Sequence, residues 1–139
     1  MAAALVDAGP LVAIFGANQP RAAHYRALLK QAGEELWSLA TTWPCLTEAA
    51  YLLDPPQRYT LLRWVGSGGI AVFPLQPEDL DELVALMTRY TEAPRSEMDL
   101  ADASLVWLAA GSGVTRVMTM DVRDFSRYRL PDGRAFELL

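Results

Sequence analysis

The 139-residue chain has one cysteine, Cys45, one histidine, His24, and one lysine, Lys30. A lone cysteine forms no internal disulfide, which fits a reducing compartment. With a single histidine beside it, the paired sulfur and nitrogen ligands of a zinc site are not supplied. His24 has no partner for a nucleophile triad and reads as a surface helix residue, and no G-x-S-x-G elbow occurs. The glycine-rich "GSGG" (66–69) precedes a strand pattern and lacks a phosphate-binding lysine, so it reads as a turn. No apolar run approaches the roughly 18 residues of a membrane span. The start, "MAAALVDAGP", has no basic residue ahead of its apolar ones, so no signal peptide is expected. A cytoplasmic protein without a membrane segment is the resulting expectation.

Apolar residues make up 52% of the chain and mean hydropathy is +0.11, enough for a buried core. The length fits a single domain over 1–139. Net charge is −5, and all the basic residues except Lys30 are arginine. Overall acidity argues against a surface that attracts nucleic acid broadly. The charge is uneven, however. Residues 1–110 carry seven basic and thirteen acidic side chains, whereas residues 111–139 carry five arginines and four acids. Arginine suits bidentate phosphate contact.

Short apolar runs alternate with longer helical patterns, the mark of an α/β fold. "AALVD" (3–7) reads as a buried strand, followed by a turn at "AGP", a helix from Leu11, and a helix from about Pro20 to Ala32. "ELWSLA" (35–40) is a second strand, and Thr42 is placed to cap "WPCLTEAAYLL". A helix over 55–65, a strand over 70–75 and an amphipathic helix over 77–91 with acids in its first turn come next. "TRVMTM" (115–120) is a strand that stops at Asp121, and "GRAFELL" adds a last short strand. The strands are continuous apolar runs, as a parallel sheet covered on both faces requires.

The acids punctuate this pattern. Asp7 and Asp121 each end a strand, and ligands of open α/β sheets bind outside the carboxyl ends of parallel strands. "MDLADASLVWLAAG" (98–111) is a helix that is apolar nearly all round, with Asp99 and Asp102 at its head. Ser96 and Asp99 suggest a capping box opening it, and Ser104 is its one solvated position. Glu48 sits among apolar residues of "TEAAYLL". Carboxylates gathered in one place repel and raise each other's pKa, and a divalent cation relieves this. Hard oxygen donors suit Mg2+ or Mn2+.

These residues, in this order and at this spacing, resemble the PIN-domain ribonucleases, especially VapC-type toxins of toxin–antitoxin pairs. The resemblance covers almost the whole chain. "LVDAGPLVAIF" supplies Asp7, "LTEAAYLL" Glu48, "MDLADASLVWLA" Asp102 with Asp99 beside it, and "VMTMDVRDFSRYR" Asp121, with Asp124 and the hydroxyl of Thr119. It implies a three-layer sandwich with a central parallel sheet of about four or five strands. It implies a metal-dependent endoribonuclease toxin that cleaves RNA phosphodiester bonds, an antitoxin partner and often a homodimer. Asp7, Glu48, Asp102 and Asp121 would bind Mg2+ or Mn2+, Asp99 and Asp124 would support them, and Thr119 would orient an acid or a water. "DAGP" departs from the commoner start by lacking a hydroxyl at Ala8. RNA affinity would fall to Arg95, Arg116, Arg123, Arg127 and Arg129. Two other classes compete. A non-catalytic PIN scaffold would bind a protein partner. An aspartyl-phosphate phosphotransfer domain would need a late lysine, and none follows Lys30.

Overall fold

The computed structural model describes residues 2–92 and 94–139. Five strands form one sheet: β1 (Ala3–Val6), β2 (Ser38–Thr42), β3 (Ala71–Phe73), β4 (Arg116–Met118) and β5 (Glu137–Leu138). The order is β3-β2-β1-β4-β5, and every pairing is parallel. The helices are α1 (Ala8–Phe15), α2 (Ala22–Glu34), α3 (Trp43–Leu52), α4 (Pro55–Gly66), α5 (Leu80–Tyr90), α6 (Leu100–Ser112) and α7 (Val122–Phe125). This is the α/β, PIN-like layering the sequence implies.

Alternation along the strands splits the core in two. Leu5 and Val117 face a cluster with residues of α5, α6 and α7, including Leu83, Leu105 and Phe125. Val6 and Met118 face the other, with Leu11, Tyr25, Leu46 and Leu61 from α1 to α4. All eleven of these side chains are essentially buried. Burial on both faces explains the unbroken apolar runs.

Several element ends differ from the sequence reading, each for a local reason. The residues read as a turn at "AGP" are the first turn of α1, because the Asp7 carboxylate accepts from the Ala8 N–H at 2.8 Å and caps the helix. Pro10 fits there, since first-turn N–H groups lack intrahelical partners. Helix α2 begins at Ala22 rather than Pro20, after Arg21 takes a left-handed conformation at φ 61°. The strand read over 35–40 is shifted to 38–42, following Leu36 at φ 55°. Thr42 precedes α3 but makes no capping bond, because its hydroxyl meets that of Ser104 at 2.6 Å. Ser104 is therefore buried, not solvated. Ser96 does not cap α6: its backbone pairs with Glu92 and its hydroxyl accepts from Arg127, while Asp99 is the cap, accepting from Asp102 N–H at 2.8 Å. Gly113, at φ 76°, ends α6 in the left-handed conformation glycine adopts without strain.

Candidate functional site

The chain leaves the central strand β1 toward β2 on one side and pairs it with β4 on the other. A crevice opens where the strand order reverses. Asp7 follows β1 directly, and its N–H donates to Met118 O of β4 at 3.0 Å. Thr119, the residue after β4, donates its hydroxyl to Asp7 Oδ2 at 2.9 Å and accepts the Asp121 N–H at 3.0 Å. One buried hydroxyl thus ties two strand-end acids together. Tyr25 of α2 donates to Thr119 O at 2.9 Å and steadies the same segment from behind.

The resulting cleft has a volume of about 270 Å³. Asp7, Glu48, Asp99, Asp102 and Asp121 all line it. Five acids from four separate stretches of sequence therefore converge. Glu97 lines it too and was missed by the sequence reading, although it stands in the same acid-rich segment, two residues before Asp99. Asp124 does not line it. Its N–H donates to Asp121 Oδ1 at 3.2 Å and its carboxylate accepts from Arg127 at 3.2 Å, so it braces Asp121. A larger groove of about 750 Å³, walled by Trp43, Tyr51, Pro74 and Leu100, shares Glu48 with the cleft but offers no other acid.

Electrostatics mark the cleft as strained by its own charge. Burial, with the charges of Asp99, Asp7 and Asp121, pushes Asp102 up to about 8. Asp7 is raised by burial and, less, by Asp99 and Asp121, against the lowering bonds from Ala8 and Thr119. Glu48 is raised by burial and by Asp99 and Asp7. Asp121 is raised chiefly by burial. Cys45, buried with its sulfur 3.9 Å from Asp7 Oδ1, is held up at about 12 and is no nucleophile. Clustered acids with raised pKa values in a cleft are a functional-site signature.

The donor set fits a hard cation by chemistry, since it is all carboxylate oxygen. Among the described residues, however, no three His, Cys, Asp or Glu side chains are arranged to hold a metal ion as they stand. Asp7, Asp99 and Asp121 each accept a backbone N–H, and Asp102 Oδ2 accepts from Tyr128.

The arginines divide. Arg116 stacks on Trp37 at 4.2 Å, Arg127 bonds Tyr90, Ser96 and Asp124, and Arg129 donates to Ser126 and Tyr128 carbonyls. Arg95 and Arg123 are exposed, on the loop that carries Glu97 and on α7. Lys30 lies exposed near Glu34 on α2 and does not line the cleft, so the phosphotransfer reading finds no lysine there.

No family model matches the chain, and no curated protein matches it by sequence. Solved structures do match its fold. VapC20 of Mycobacterium tuberculosis, described as a sarcin-ricin loop cleaving toxin, superposes with a TM-score of 0.74 at 14% identity, over 87% of this chain and 92% of that one. PAE2754 from Pyrobaculum aerophilum gives 0.55 at 23% identity, over 88% and 76%. FitAcB from Neisseria gonorrhoeae gives 0.51 at 18% identity, over 88% and 90%. At these identities the likeness is one of fold. It agrees with the fold that the PIN resemblance implies.

Proposed function

We propose that the chain is a metal-dependent endoribonuclease of the VapC toxin type. The observation that carries this reading is the convergence of Asp7, Glu48, Asp99, Asp102 and Asp121 on one cleft at the carboxyl ends of β1 and β4. Likeness of fold to a sarcin-ricin loop cleaving toxin supports it. Asp7, Glu48, Asp102 and Asp121 would hold Mg2+ or Mn2+, and Asp99 and Glu97 add negative charge at the rim. When bound, such an ion lowers the pKa of a water and neutralises charge on the scissile phosphate. Thr119 fixes Asp7 and Asp121 relative to each other, and Asp124 braces Asp121. Arg95 and Arg123, both exposed, are the candidates to contact RNA phosphates. An antitoxin partner, a homodimer and a cytoplasmic setting belong to the same reading.

A non-catalytic scaffold is the second reading, favoured by the absence of a closed three-ligand group among the described residues. Crowded acids argue against it, because an interaction domain gains nothing from burying mutually repelling carboxylates. A ribonuclease assay with and without EDTA, on the wild type and Asp7→Asn, separates the two. Cleavage that needs the divalent ion and is lost in the variant supports the enzyme. Full activity in EDTA, or an unimpaired variant, removes this mechanism.

A further inference from the structure

We propose that Tyr128 is the positioning residue of Asp102: its buried hydroxyl fixes one carboxylate oxygen and leaves the other for the cleft. The inference rests on the metal-dependent reading above and concerns how one of its ligands is held. Tyr128 Oη donates to Asp102 Oδ2 at 3.2 Å. Among the described residues no hydrogen bond reaches Asp102 Oδ1, although Asp102 lines the cleft.

The tyrosine is itself immobilised. Its N–H donates to Asp124 O at 3.2 Å, continuing the turn of α7, so Phe125 and Tyr128 stand three residues apart on one side. The Tyr128 ring is fully buried, edge-on to Phe125 at 5.0 Å and to Tyr90 at 5.1 Å. Arg127 clamps the adjoining backbone to the end of α5 through Tyr90 O at 3.2 Å. A phenol keeps its proton at neutral pH, so the hydroxyl is a donor there. An aspartate has two free side-chain torsions, and a hydrogen bond from a locked donor removes that freedom before a ligand arrives. Partners of ligating carboxylates act on metal affinity in this way.

The test is calorimetric titration of Mn2+ into the wild type, Tyr128→Phe and Tyr90→Phe, with RNA cleavage measured across Mn2+ concentration. Tyr128→Phe keeps the ring and removes only the donor. Its Mn2+ affinity is expected to fall roughly 10-fold, with the maximal cleavage rate recovered at saturating Mn2+. Tyr90→Phe removes a hydroxyl from the same aromatic cluster, one that accepts from the Arg129 backbone N–H and, among the described residues, hydrogen-bonds no acid. Its Mn2+ affinity is expected to be unchanged, which separates positioning from packing. Should Tyr128→Phe fail to fold, a wild-type crystal structure with Mn2+ decides: Tyr128 Oη on Oδ2 and the ion on Oδ1 supports the assignment, and a broken Tyr128 contact overturns it. Wild-type binding and cleavage that Tyr128→Phe leaves intact overturns this inference alone. A wild type that neither binds Mn2+ nor cleaves RNA overturns the nuclease reading and this inference with it.

Discussion

Helices α5 and α6 pack side by side, and both carry acids in their first turn. There the likeness ends. Helix α5 buries only Leu83 and Tyr90, and its Asp81 and Glu82 stand in solvent. Helix α6 buries eight residues, including Asp102 at 9% exposure, because it lies between α3, α5 and β2. The same residue type at the same kind of helix end therefore does two things. On α5 an acid complements the helix dipole. On α6 it is forced against Asp7, Asp99 and Asp121 in a poorly solvated cleft, which costs stability.

The largest expected contrast is in activity. If the proposed nuclease reading holds, Asp102→Asn should lower metal-dependent RNA cleavage by roughly 100-fold or more. Asp81→Asn should leave it unchanged. Next comes packing. Leu105→Ala, at a fully buried position of α6, should cost about 2–5 kcal/mol in denaturant unfolding. Val84→Ala, on the 54% exposed face of α5, should stay within about 0.5 kcal/mol.

The third contrast depends on pH. Asp102 titrates at about 8 in the fold against an ordinary value of 3.8. Below the lower value both states are protonated and the site costs nothing. Between the two, the native state keeps a proton the unfolded chain has lost, so stability declines as pH rises, until both states are ionised above 8. Asp102→Asn should therefore raise the metal-free melting temperature by several degrees at pH 8 and by little near pH 4. A small, salt-dependent effect comes last: Asp81→Ala should lose about 0.3–1 kcal/mol at low salt, a loss that fades as salt is added.

Strands and acids were legible in the sequence for one reason: a parallel sheet buried on both faces needs unbroken apolar runs, and the polar residue that ends each run falls at the functional rim. Asp7 and Asp121 are read this way. The layering followed from the alternation of such runs with helical patterns. Hydrogen bonds made across the fold were not legible. Ser104 looks solvated in a helical projection, yet it meets Thr42, 62 residues away in sequence. Asp124 reads as a supporting acid, but that Arg127 and Asp121 are what it engages shows only in the fold. Glu97 lacked a strand end or a helical face to mark it, and nothing in the sequence pairs Tyr128 with Asp102, 26 residues away.

The central claim is that α6 carries Asp102 into a crowd of carboxylates that a divalent ion makes tolerable. It is tested most directly by titrating Mn2+ into the protein at pH 7 by calorimetry, in two buffers of different ionisation enthalpy. Saturable binding that releases about one proton, with the release lost in Asp102→Asn, is the result expected. Absence of binding, or binding whose heat is the same in both buffers, would contradict the account.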